Sequence, residues 1–269
     1  MNNHSHHHAV TGPNLELFGL GILLLAIISY WNAAARLKNW PMHRSILWTL
    51  GACCIAISTI GPLANAAHND FSFHMLTHLL LGMLAPLFIA LSAPMTFILR
   101  SLPVKWARRI SYLLKSVPSR ILINPVIASL LNIGGLWVLY TTDLFANMHE
   151  HPLLYVLIHV HVFIAGFLFT ISIISIDPAP HPTSFIYRAI VLVSALASHS
   201  ILAKYIYAHP PSGVSTTEAE VGGMLMYYGG DLIDGVLIFV FCYQWFRMTR
   251  PRFNDTIFKE TRETIKARS

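Results

Sequence analysis

Apolar residues in this chain come in long unbroken runs, not in the alternating or one-faced patterns of soluble strands and helices. A helix that crosses the hydrocarbon core needs roughly 20 such residues. Seven runs reach that length, at about 15–35, 46–64, 72–93, 122–141, 153–176, 186–207 and 222–246. Stretches such as LLLGMLAPLFIALSAP, from Leu79 to Pro94, lack the period-two alternation of membrane strands. The pattern predicts an all-α polytopic membrane protein. Its seven-helix domain occupies 15–246, after a disordered histidine-rich start at 1–14 and before a basic tail at 247–269. Pro86 is expected to kink the third run and free a carbonyl. Between the third and fourth runs, residues 95–116 read as interfacial helices. There Trp106, Ile110, Leu113 and Leu114 recur at helical spacing against Lys105, Arg108 and Arg109.

Composition agrees. The chain is 55% hydrophobic and 11% charged, with mean hydropathy +0.57. Soluble domains carry about 25% charged residues, so a soluble domain, a disordered chain and a coiled coil are excluded. Three cysteines, Cys53, Cys54 and Cys242, form no CxxC motif and no disulfide framework. The net charge of +6 would suit nucleic acid, but its distribution reads as a topology signal instead. Seventeen of the 18 Lys and Arg fall in alternate connections and the tail; Lys204 is the exception. By the positive-inside rule the N-terminus is outside and the C-terminus cytoplasmic.

Histidine is the unusual residue, with 15 copies. His4, His6, His7 and His8 belong to a tag-like start and are set aside. Of the other 11, only His43 and His181 fall on the expected cytoplasmic side. Counting inward at 1.5 Å per residue puts His78, His159, His161, His199 and Asp231 at roughly 9 to 13 Å depth. Four helices thus bring polar groups to one layer, and ionisable groups at that depth normally face a bundle interior. His78 and His159 are expected to approach one another, with His199 and Asp231 lining the same cavity. His74 and His78 are one turn apart, so both can point at one ion. His159 and His161 diverge by about 200°, so at most one joins. Asp231 and Asp234 are three residues apart and share a face. Imidazole suits copper, zinc, iron and nickel, and nearby thioethers such as Met75 favour Cu(I). Haem ligation by paired histidines and ion transport past Asp231 and Asp234 are the competing readings. No nucleophile–base–orienter constellation appears, so no hydrolysis is expected.

Four segments together resemble the CtaG family of cytochrome c oxidase assembly factors. They are HMLTHLL at 74–80 with its continuation to Pro103; HPLLYVLIHVHVFIAGFLF at 151–169 with DPAPHPTSFIYRA; LASHSILAKYIY at 196–207; and GGMLMYYGGDL at 222–232. The resemblance implies a plasma-membrane protein, not an enzyme, that supports assembly of a haem–copper oxidase by holding copper at its outer face. The metal set it implies is His74, His78, His159, His199 and Asp231. His68, His149, His151, His161 and Met75 stand as entry or additional ligands. Implied partners are membrane lipid, an oxidase subunit or another copper-handling protein, and a second copy of the chain. The chain departs from the family pattern at Ile158, where an acid is common, at His161, which is additional, and at Asp231, which replaces a common Glu. Glu218 and Glu220 stand where the family tends toward Asp-Gln-Gln.

Overall fold

The computed structural model describes residues 13–177 and 183–250. The histidine-rich start, His181 and most of the basic tail therefore lie outside the described residues. The described chain is helical and contains no strand. In chain order the helices are α1 (Pro13–Arg36), α2 (Met42–Thr59), α3 (Pro62–Asn69), α4 (Phe71–Leu91), α5 (Pro94–Ser101) and α6 (Val104–Leu114). Then follow α7 (Val117–Leu122), α8 (Pro125–Thr141), α9 (Leu144–Glu150), α10 (Pro152–Ile173), α11 (Phe185–Ala208) and α12 (Thr216–Thr249).

Among the described residues five helices are long and apolar enough to cross a membrane, and up to seven spans result if two bent pairs each count as one. Those pairs are α2 with α3, bent by 48°, and α8 with α9, bent by 80°. The seven segments coincide with the seven apolar runs. Each bend has a local cause. Gly61 takes φ +87° before Pro62, a conformation that side chains other than glycine rarely adopt. Thr142 is extended between α8 and α9, and its hydroxyl donates back to Val138 O at 2.6 Å.

Local sequence sets the helix starts. Asp70 accepts hydrogen bonds from the amides of Ser72 and Phe73, which caps α4. Asn124 does the same for α8, with Pro125 in the first turn. Ser184 and Ser215 cap α11 and α12.

The central helix is α4. Within the bundle 61% of its span is buried, against 11% for α1 at the edge. It packs against α2, α10 and α12, while α11 packs along α12. Two π-helical turns interrupt the bundle, at Leu79–Leu84 in α4 and Leu130–Gly134 in α8. The first ends just before Pro86. Proline has no amide hydrogen to offer a carbonyl of the preceding turn. In that turn Gly166 of α10 packs directly on the Gly82 carbonyl oxygen, where any Cβ would collide with it.

At the opposite end, α6 buries none of its residues, so its apolar face is uncovered by protein. Arg109 stacks over Trp106 at 4.8 Å, and Arg100 donates to Lys38 O at 2.7 Å, tying α5 to the first loop. Asp177 accepts from the amides of Met95 and Thr96 and from the Thr96 hydroxyl, holding the α10–α11 connection against α5. The buried Arg188 donates to Ile173 O and Ser175 Oγ. Cations and their acceptors thus lock this basic end. The histidines gather at the other.

Candidate functional site

The Asp70 cap fixes the first turn of α4, and the helix then presents His74 and His78 one turn apart on its buried side. Both are nearly inaccessible, at 4% and 5% exposure. Each has its own nearest partners, while the Tyr140 ring contacts both.

His74 sits among side chains from α8, α9 and α10. Its Nε2 shares a hydrogen bond with the Tyr140 hydroxyl at 3.1 Å, and its Nδ1 has no partner. Ring centres lie 6.3 Å away at His149 and 6.1 Å away at His159. His149 Nδ1 donates to Phe145 O at 2.9 Å, and His159 Nδ1 donates to Tyr155 O at 2.8 Å. A carbonyl can only accept, so both rings carry their proton on Nδ1. That leaves the Nε2 lone pair available to a ligand. Metal-binding histidines are commonly oriented by such a bond through the other nitrogen. His68 of α3 extends the group, 5.0 Å from His149, with its buried Nδ1 unpartnered. Behind these rings Met75, Met148 and Met226 are fully buried in one cluster with Phe71, Tyr140 and Phe145.

His78 heads a deeper group. Neither of its ring nitrogens has a partner, and the Nε2 of His199, on α11, has none either. The two rings are 6.3 Å apart and inclined by 26°. They line an internal cavity of about 30 Å³ with Asp234, Asn132, Thr170 and Met83. The close approach depends on Gly230, since a Cβ there would lie 2.7 Å from His199 Cε1.

The structure therefore sorts the residues singled out in the sequence. It brings His68, His74, His149 and His159 into one group, with Met75 behind them. His78 and His199 form another. The ring contacts pair His159 with His74, whereas His78 pairs with His199; equal depth carries no information about rotation around each helix axis. Asp231 is exposed, and Asp234, one turn on, is the carboxylate that lines the cavity. His161 is also exposed and donates from Nε2 to Leu131 O at 3.1 Å, away from both groups. His151 lies exposed at the α9–α10 junction. Sequence reasoning missed Tyr140 and Tyr155. Their signal is weak, because a tyrosine in a span resembles ordinary packing or an interfacial anchor.

Among the described residues no three His, Cys, Asp or Glu side chains form a group that could hold a metal ion as they stand. What the chain presents is a set of adjacent imidazole pairs with unengaged nitrogens.

The same polar layer lies within a recognisable sequence family. Residues 22–248 match the family model for the cytochrome c oxidase caa3 assembly factor, Caa3_CtaG. Uncharacterized protein Mb0105 of Mycobacterium bovis is 28% identical over 196 residues, which cover 69% of this chain and 30% of that protein. Uncharacterized protein MT0111 of Mycobacterium tuberculosis matches to the same extent. Uncharacterized protein ML1998 of Mycobacterium leprae is 23% identical over 234 residues, covering 78% of this chain and 35% of its own length. The chain thus spans about a third of the length of the curated relatives it matches. No solved structure matches it. The family model runs from within α1 to the last turn of α12 and takes in every histidine of both groups, so the chain belongs to the cytochrome c oxidase caa3 assembly factor (CtaG) family.

Proposed function

We propose that the chain assists assembly of a haem–copper cytochrome c oxidase by holding copper, as cargo, at the histidine end of its bundle. The observation that carries this reading is the group formed by His74, His149 and His159. Three helices each supply one imidazole; carbonyl acceptors on Nδ1 free the Nε2 lone pairs of His149 and His159, and the Tyr140 contact leaves His74 Nδ1 unengaged. Imidazole is a copper ligand, and the methionines behind it suit the reduced ion. Pairs are what an exchangeable cargo site needs. A closed four-ligand cage would hold the ion too firmly to pass it on. The basic residues at the opposite end orient the bundle by the positive-inside rule, with the histidines at the extracytoplasmic face of a bacterial plasma membrane. The partner is an oxidase subunit approached from that side.

The competing readings fare less well against the same geometry. Ligand pockets for groups as large as haem run to several hundred Å³, and the room between His78 and His199 is about 30 Å³. An ion path through Asp231 and Asp234 loses its first member, because Asp231 lies on the bundle surface.

The test is oxidase assembly in cells that carry His74→Ala/His159→Ala, read from the haem a absorbance of isolated membranes. The double variant is expected to lower assembled oxidase severalfold while accumulating to the wild-type level. His161→Ala, whose ring is already engaged elsewhere, is expected to leave assembly unchanged. Full oxidase assembly by a normally accumulating double variant would overturn the reading.

A further inference from the structure

At the basic end of the bundle two cavities flank the α5–α6 pair, and the histidine groups do not account for them. The first is a chamber of about 240 Å³ between α5, the end of α10 and the α7–α8 junction. Leu99, Leu114, Ile123, Phe167, Ile171 and Ile174 give it apolar walls. Its two charged side chains are already engaged. Arg100 donates to Lys38 O, and the Asp177 carboxylate accepts from the amides of Met95 and Thr96. Apolar cavities of roughly 150 Å³ stay dry and take apolar guests, so this chamber suits hydrocarbon more than water. The second cavity is a groove of about 440 Å³ along α6, and Leu99 is a wall common to both. The groove is polar where the chamber is not, with Arg108, Ser111, Tyr112 and Lys115 in its lining. Val104, Arg108, Ser111 and Lys115 recur every three or four residues, so they share one face of α6. No acidic side chain lines the groove to balance its two cations.

We propose that the two cavities form a binding site for one anionic phospholipid, with its phosphate held by Arg108 and Lys115 in the groove and one acyl chain seated in the chamber. The ligand must join a negative head to an apolar tail, because the cavities meet at Leu99 and differ in character. Charge decides the head. Guanidinium and ammonium groups bind phosphate directly, and the Ser111 and Tyr112 hydroxyls can donate to the oxygens that remain. Depth decides the source. An interfacial helix lies with its apolar side in the acyl boundary and its cations at headgroup level, so lipid of the adjoining leaflet presents its phosphate at the groove. α6 buries none of its residues against protein. A lipid wedged between α6 and α10 supplies packing that the chain itself omits, and it fixes the interfacial helices to the bundle. Lipid that merely surrounds the protein has no use for the chamber. It responds to the whole basic surface, Lys105 and Arg109 included.

The experiment is native mass spectrometry and thermal unfolding of the full-length protein in neutral detergent, titrated with phosphatidylglycerol, phosphatidylcholine or glycerol phosphate. One phosphatidylglycerol is expected to stay bound and to raise the unfolding temperature by several degrees. The other two are expected to bind about tenfold more weakly or worse. Arg108→Gln/Lys115→Gln should weaken phosphatidylglycerol by about tenfold or more. Lys105→Gln/Arg109→Gln removes two charges of the same helix from outside both cavities, and should change the affinity by less than about threefold. Ile171→Trp, which fills the chamber, should also weaken the lipid by about tenfold or more. Leu99→Phe makes the same test from another wall if the tryptophan variant fails to accumulate. Equal losses from the two charge pairs would reduce the site to general attraction by a basic surface and overturn the proposal. So would phosphatidylcholine or glycerol phosphate binding as tightly as phosphatidylglycerol, or undiminished lipid binding after the chamber is filled.

Discussion

The hydrogen bond between Tyr140 and His74 shows how one residue can set the chemistry of another. For Nδ1 of His74 to face an ion with its lone pair, Nε2 must carry the proton and donate it to the Tyr140 oxygen. Tyr140 is 2% exposed and reaches His74 at 3.1 Å, so no water substitutes easily. Replacing it by phenylalanine removes the acceptor and leaves a buried donor unsatisfied, at about 1 to 3 kcal/mol. The Tyr140→Phe protein is therefore expected to bind copper about tenfold more weakly with its helical content unchanged, as measured by chelator competition and circular dichroism. Unaltered affinity would show that the tautomer of His74 is set by something else. The histidines themselves were legible in the sequence, because an imidazole in an apolar run stands out. Their pairing was not. Asp231 and Asp234 occupy adjacent faces of α12, and only packing decides that Asp234 lines the cavity while Asp231 is exposed.

At the scale of the element, span boundaries followed from hydrophobic length alone, and all seven apolar runs became helices or bent helix pairs. The bends were less visible. Nothing in the run from 122 to 141 announces an 80° turn, yet that turn folds α9 back and carries His149 to within 6.3 Å of His74. That Pro86 withholds an amide from the preceding turn was foreseeable. That α10 would place Gly166 on the Gly82 oxygen in that turn was not, because contacts between distant helices leave no local pattern. The contact makes a prediction. In Gly166→Ala the new methyl meets backbone, which cannot rotate away. Forcing α10 outward costs roughly 1 to 3 kcal/mol or more, as overpacking does. The variant should lower the unfolding temperature by several degrees and reduce copper retention, whereas Gly21→Ala, which meets nothing within 4 Å, should change neither. Equal stability for the two variants would contradict the close approach.

The described part of the molecule is polarised: most of its cations and the interfacial helices lie at one end, and the grouped imidazoles lie at the other. The orientation proposed for it is checked by labelling cysteines introduced at exposed positions on each end, in a background without Cys53, Cys54 and Cys242. Glu150→Cys should react with a membrane-impermeant reagent in intact cells, and Arg109→Cys should react only after the cells are opened. The reverse pattern would place the histidines in the cytoplasm. The central claim, that the imidazole groups hold copper, is met most directly by elemental analysis of protein isolated from cells that build the oxidase. The protein would carry glutamine at positions 4, 6, 7 and 8. The account predicts about one copper or more per chain, falling severalfold in His74→Ala/His159→Ala at equal yield. Wild-type protein free of copper, or a double variant that keeps its full content, would contradict it.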